Sequence, residues 1–444
     1  MASRWHTATF GEICEHSAFG PRFAGKLYSP DGNIATLRTT DISPDGRIEY
    51  DTMPLARLDL KKFQQHVLQM NDLVITRSGR IGTAALFAGF RLPVLPGAFL
   101  IRFRLKQDLA EPQFYRYFFK SPSGQELLTS VATGSVQQNL NITSMHTLDV
   151  PVPPLPEQRA ISHILGTLDE KIELNRRMNE TLEAIARAIF KSWFVDFDPV
   201  LAKAEGRDPG LPKHIADLFP DSFEDSELGE IPHGWEIGRF CNIVERLRNQ
   251  ENPLVSPDVM FHHFSIPAFD EGQWPKLELG ESIKSIKSCV QPDTILLSKL
   301  NPEIERVWLV DVNVTNRAIC STEFLVLRSL SLYGRPYVYC LMRSPLFRQQ
   351  IEALVTGTSK SHQRAQADSI LTLAILLPPK PIAKAFDKTA SLILERTQSC
   401  RRESRTLAAI RDALLPKLIS GKLRIKDADN FIDRMTRFPN EVAK

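Results

Sequence analysis

Long apolar runs are missing from this chain. No stretch approaches the roughly 20 apolar residues of a membrane span, and Met1-Ala2-Ser3-Arg4-Trp5-His6 leads into polar sequence rather than the apolar core of a secretion signal. A cytoplasmic protein without a membrane partner is expected. Cysteine is sparse, and Cys14, Cys241, Cys289, Cys320, Cys340 and Cys400 form neither a C-x-x-C pair nor the Cys/His spacing of a zinc site, so they read as free thiols. An excess of one charge is also absent: 55 basic against 52 acidic side chains leave +3, so any basic surface for a nucleic acid must be local.

Catalytic signatures are missing too. The chain has no G-x-G-x-x-G after a strand, no G-x-x-x-x-G-K-[ST] and no H-E-x-x-H, and Asn301-Pro302-Glu303 lacks the aromatic of an amino-methyltransferase motif. Asp169-Glu170-Lys171 has the residue types of a metal nuclease but falls inside a predicted helix, where a solvated face explains it. His262-His263 would point to opposite faces of a strand and has no third ligand placed by spacing. No catalytic residue, no metal site and no cofactor bound by the chain itself are therefore expected.

What is present is a repeat. With 444 residues, 43% of them hydrophobic, the chain is long enough for two or more cores. Short alternating or apolar runs broken by turn residues fill 1–152; the prolines of Val150-Pro151-Val152-Pro153-Pro154-Leu155-Pro156 then start a helix over 153–197. A linker rich in Pro, Gly and acids spans 198–234, a second strand-rich region 235–379, a second helix 380–424 and a tail 425–444. A heptad seam runs through Ile161, Leu165, Leu168, Ile172, Asn175, Asn179, Leu182, Ala186, Ile189 and Trp193. Adding 225 gives Phe386, Ala390, Ile393, Thr397, Cys400, Ser404, Leu407, Arg411, Leu414 and Leu418, again apolar at the ends and polar in the centre.

Lys120-Ser121-Pro122 and Thr133-Gly134-Ser135 recur as Arg343-Ser344-Pro345 and Thr356-Gly357-Thr358, so the repeat covers the globular parts as well. The expected fold is α+β: two strand-rich domains, each followed by a long helix, with pseudo-twofold symmetry. Helices of roughly 35 to 40 residues, about 55 to 60 Å, outrun a small domain and are expected to pack on each other as a coiled coil. A twofold across the helix centres makes the pair antiparallel, with Asn175 and Asn179 facing Ser404 and Cys400; spacing alone also admits a parallel pair.

Polar and basic residues gather at predicted turns of both globular parts, where side chains can project to a duplex. In the first they are Thr39 and Thr40, then Arg77, Ser78 and Arg80, then Gln137, Gln138 and Asn139. In the second they are Lys299, Asn301 and Arg306, then Ser359, Lys360, His362, Gln363 and Arg364. Arg suits guanine and Gln or Asn adenine, whereas Ser, Thr and Lys mostly hold phosphates. Ordinary hydrophilic turns are the bland alternative for any one side chain; recurrence at related places favours contact for the loops as groups.

Pro154-Leu155-Pro156-Glu157-Gln158-Arg159-Ala160-Ile161, Leu168-Asp169-Glu170-Lys171-Ile172 and Phe190-Lys191-Ser192-Trp193-Phe194-Val195-Asp196-Phe197 resemble the central region of specificity subunits of type I restriction-modification enzymes. Leu228-Gly229-Glu230-Ile231-Pro232-His233-Gly234-Trp235 resembles the start of that family's second recognition domain, and Leu415-Pro416-Lys417-Leu418-Ile419-Ser420-Gly421-Lys422-Leu423 the end of its second helix. The resemblance implies two target recognition domains reading a split, asymmetric site in double-stranded DNA, held apart by antiparallel helices; joined to the helix length, it leads to the expectation that the pair acts as a ruler between half-sites. It further implies two methyltransferase subunits carrying S-adenosylmethionine, two restriction subunits using ATP and Mg, and a place in phage defence. The second helix departs from the pattern: Pro381-Ile382-Ala383-Lys384 replaces Pro-Glu-Gln-Arg, and Arg411 falls on the seam. The rival expectation is a coiled-coil scaffold or adaptor that never touches DNA.

Overall fold

Prolines fix where the long helices begin. The first spans Leu155–Phe194, immediately after Pro153-Pro154, and the second Lys380–Ile419, after Pro378-Pro379. Pro156 and Pro381 lie in the first turns, where a missing N–H removes no intrahelical bond. A computed structural model describes residues 5–133, 139–227, 229–311, 317–355, 363–425, 428, 430 and 431. It comprises two compact units, Met1–Leu174 with Ser404–Lys444, and Asn175–Glu403. Each unit thus contains one half of each long helix.

In the first unit, an antiparallel sheet runs in the order Cys14–Phe19, Leu100–Leu105, Leu73–Thr76, Ala84–Leu86. Leu73, Val74, Ile75 and Thr76 are all buried, so this inner strand is covered on both faces and reads as a continuous apolar run. Asp72 sets its start, accepting from Gln69 N and receiving both arms of the Arg104 guanidinium at 2.8 Å. A second sheet places Ile34–Leu37 between Leu55–Ala56, antiparallel, and Val94–Pro96, parallel. His6–Thr9 pairs with Asp149–Val152 and closes the domain beside the proline joint.

The second unit repeats this order. Val244–Leu247, Phe324–Ser329, Thr294–Ser298 and Val307–Leu309 form its antiparallel sheet, and Glu236–Arg239 pairs with Ala374–Leu377. Met260–Phe264 lies between Lys276–Leu279, antiparallel, and Ala318–Cys320, parallel, as Ile34–Leu37 does among its own neighbours. Here the sheet is longer by two strands, Lys287–Val290 and Gln250–Glu251.

Within each unit the helix halves run antiparallel. In the first, Ile161 and Leu165 share a core with Leu415, Leu418 and Ile419, while Asp169 pairs with Arg411 at 2.7 Å. In the second, Asn175 Nδ2 donates to Glu403 at 2.9 Å, the Cys400 thiol reaches Met178 Sδ at 3.7 Å, and Phe190 packs on Phe386 with centroids 5.5 Å apart. A step forward on one helix is a step back on the other. The seam count places Asn175 and Asn179 opposite Ser404 and Cys400; the partners found stand one residue aside, because side chains reach across from positions flanking the seam. Ile161, Leu165, Asn175, Trp193, Phe386 and Leu418 are buried, and Leu168, Ile172, Asn179, Leu182, Ile189, Ile393, Leu407 and Leu414 half-buried.

The departures of the second helix have structural counterparts. Glu157 and Gln158 are buried: Glu157 accepts from Trp5 Nε1 and both arms of Arg424, and Gln158 bonds Glu111 N, Leu109 O and Pro153 O. At the equivalent places, Ile382 and Ala383 are fully buried in apolar core, so a polar lock is replaced by packing. Arg411 sits on the seam because Asp169 faces it. The expectation that Asp169 belongs to a solvated face is therefore corrected: Asp169 also accepts from Tyr117 Oη at 2.8 Å and lies 3.6 Å from Arg116. Burial raises its pKa, but Arg411, Lys120, Tyr117 and Arg116 together hold it below the usual carboxylate value.

Candidate nucleic-acid interface

Three loops of the first unit meet through main-chain atoms. Arg77, directly after the inner strand, donates its N–H to Phe99 O at 2.9 Å and accepts at its carbonyl from Leu140 N at 3.0 Å. Gly97 N donates to Leu37 O at 2.7 Å, which brings in the turn carrying Thr39 and Thr40. The second unit builds the same frame: Lys299 N to Glu323 O at 2.9 Å, Ala365 N to Lys299 O at 3.1 Å, and Ser321 N to Phe264 O at 3.1 Å. Arg77 and Lys299 therefore occupy equivalent hubs, each a cation at the junction of loops that sequence reasoning had singled out separately.

Side chains on the two frames differ. Arg77 is half-buried, its guanidinium 4.6 Å from the Phe19 ring centroid. Ser78 is buried beneath the loop, whereas Arg80 is exposed at its tip. The loop turns through Gly79 and Gly82, at φ 74° and 76°, and Thr76 closes it, donating from Oγ1 to Arg80 O and accepting from Thr83 N at 3.0 Å. Thr39 is half-buried and Thr40 exposed on the turn Thr39–Asp41, clamped by the fully buried Asp41, which takes both arms of Arg38. Asn139 is half-buried and pairs with Thr133 through both main-chain bonds, at 2.8 and 3.0 Å. Gln137 and Gln138 lie outside the described residues.

In the second unit, Lys299 is half-buried; burial lowers its pKa, with Arg246 and Arg364 adding to the shift and Glu323 opposing it. Asn301, at φ 48°, donates its N–H to Gln363 O at 2.8 Å. Arg306 is buried and bound through two arms to Asp270 at 2.8 Å each, so its guanidinium is used to shape the loop. Arg364 is exposed and bonds Glu323. Ser359, Lys360 and His362 lie outside the described residues.

Sequence reasoning missed Arg246 and Arg248 on the neighbouring strand edge, both near Asp368 at 3.5 and 3.6 Å, and it missed Phe99 and Glu323. The alternation Arg246-Leu247-Arg248 was a legible sign of a basic strand face. Nothing in sequence marks Phe99 or Glu323, which only strand register brings to the hubs. His263 Nδ1 lies 2.6 Å from Glu278. Among the described residues no group of three His, Cys, Asp or Glu side chains could hold a metal ion, and no helix is long and apolar enough to cross a membrane.

Comparison with known proteins gives one family. Residues 2–184 match the family described as the type I restriction modification DNA specificity domain. Type I restriction enzyme MjaIX specificity subunit of Methanocaldococcus jannaschii is 26% identical over 334 residues, 73% of this chain and 72% of the relative. The HindI specificity subunit of Haemophilus influenzae is 24% identical over 362 residues, 71% and 78% of the two chains. The crystal structure of the S subunit of a type I restriction-modification system from M. genitalium superposes with a TM-score of 0.60 at 15% identity, covering 94% of this chain and 96% of that one, a likeness of fold.

Proposed function

We propose that the chain is a non-catalytic specificity subunit of a type I restriction-modification system, as the relatives it matches are named, and that its two units read the two halves of a bipartite, asymmetric DNA site. Reading falls to the loops at the Arg77 and Lys299 hubs, with Thr40, Arg80 and Arg364 the described candidate side chains exposed to a duplex. The long helices dock two methyltransferase subunits, which bring S-adenosylmethionine, and two restriction subunits join with ATP and Mg. The complex acts in the cytoplasm. The observation that carries this reading is the repeated frame: six matching main-chain bonds hold two sets of loops whose side chains differ. Two like frames with unlike side chains are what two different half-sites call for.

The test is to assemble the full chain with its methyltransferase subunits and map methylated adenines across a genome. A single split sequence with two unlike halves is the expected result. An uninterrupted or palindromic site overturns the two-unit reading, and an assembled complex without affinity for duplex DNA leaves the scaffold reading standing instead.

A further inference from the structure

Arg364 is an exposed arginine whose freedom has been removed. Its main chain is pinned on both sides by the loop at the hub, through Asn301 N to Gln363 O at 2.8 Å and Ala365 N to Lys299 O at 3.1 Å. Its side chain is pinned by Glu323: Nε lies 3.1 Å from both carboxylate oxygens and Nη2 2.9 Å from Oε1. Glu323 is itself fixed, its carbonyl accepting from Lys299 N at 2.9 Å. The side chain of Arg364 is half exposed and that of Glu323 largely covered, at 50% and 23%.

The edge of the guanidinium that Glu323 takes is the one formed by Nε and Nη2. The opposite edge, Nη1 with the second N–H of Nη2, carries the paired donors that fit guanine O6 and N7. Half-exposed ion pairs contribute little to folding, so stability does not account for this arrangement. Its physical effect is to freeze a long side chain in one orientation before any ligand arrives, which lowers the entropic cost of a two-point contact. The first unit has Phe99, 58% exposed, where the second has Glu323, so the frame itself does not require an acid there.

We infer that Glu323 is a positioning residue that presents Arg364 end-on to a guanine, making one G·C pair of the second unit's half-site its most strictly read position. This deepens the proposed function and rests on it. The experiment uses the full chain assembled with its methyltransferase subunits, comparing the methylated sequences of wild type, Glu323→Gln, Arg364→Lys and Arg364→Ala. Each variant is expected to relax one G·C position in one half-site by about tenfold or more, with every other position and the whole other half-site unchanged. Arg364→Lys separates base reading from phosphate binding, because it keeps the charge and loses the planar fork.

A wild-type site with no invariant G·C pair overturns the inference. So does an Arg364→Lys variant that keeps full discrimination, or a Glu323→Gln variant that weakens all sequences alike and so marks a phosphate contact. Wild type that methylates no split site at all defeats the proposed function instead, which keeps the two failures apart.

Discussion

The loops at the two hubs have the same main-chain attachments and opposite means of holding their shape. The first, 77–83, bends through glycine: Gly79 and Gly82 both have positive φ, and few side chains brace the turn. The second, 299–306, is braced from outside. Arg306 bonds Asp270, Arg343 bonds Glu305 while also holding Glu183 at 2.8 Å, and Arg348 reaches Pro302 O. Asn301 stands where the first loop has Gly79. A loop shaped by backbone freedom and a loop shaped by buried charge can reach the same frame, and the difference predicts where each unit is fragile.

Arg343→Ala gives the largest effect. It removes the close partner of Glu305 and one of the two arginines on Glu183, Arg401 remaining at 2.6 Å, and the second unit should lose about 2–3 kcal/mol in denaturant unfolding followed by hydrogen exchange. Its counterpart, Lys120, has a buried Nζ without a hydrogen-bond partner and a pKa lowered by burial. Lys120→Met should therefore leave the first unit within about 1 kcal/mol of the parent. Equal losses from the two would erase the contrast.

The glycine loop breaks the other way. Gly82→Ala meets both a positive φ and Leu128 Cδ1 at 2.8 Å, and should cost the first unit about 1–2 kcal/mol. Asn301→Gly relieves the same backbone conformation and removes an amide oxygen buried without a partner, so the second unit should change by less than about 0.5 kcal/mol. Thermal unfolding of the two variants side by side checks the pair.

Acid should sharpen the comparison further. Asp169 has a depressed pKa, so its contribution is present above the ordinary carboxylate value and lost as pH falls through the lower folded value. Asp387, which caps Gly334 N at 2.7 Å and Tyr337 N at 2.9 Å, is pushed up by burial despite those two bonds. Its contribution is full at low pH and lost as pH rises through the raised folded value. Amide exchange near pH 3 should therefore quicken around Asp169 and Arg411 before it does around Asp387. The reverse order would show that other groups govern the acid response. The smallest effect is expected from Phe99→Ala, which should leave stability within about 0.5 kcal/mol and alter preference at one position of one half-site by less than about tenfold.

Much of this architecture was legible because it is periodic or punctuated. The proline joints, the heptad seam and the offset of 225 needed no tertiary information, and they gave the two long helices and the doubled domain. The polar members of the seam were legible as exceptions but not as partners: Arg411 makes sense only once Asp169 lies across from it, 242 residues away in sequence. The hubs were half legible. Turn chemistry pointed to Arg77, Arg80, Lys299 and Arg364 one loop at a time, but Glu323 and Phe99 join them through strand register, which a single sequence does not print. Composition also misled at Arg306, a basic turn residue whose charge is used inside the fold.

The frame around each hub consists of amide and carbonyl groups, which every residue except proline supplies in full. Substitution of the exposed side chains there, such as Arg80 and Arg364, therefore leaves the scaffold's bonds in place, and on the reading proposed above drift in what the loops say is separated from whether the protein folds. A lineage carrying this architecture can replace one unit's vocabulary by a few substitutions, keep the other unit's unchanged, and arrive at a new target without passing through an unfolded ancestor.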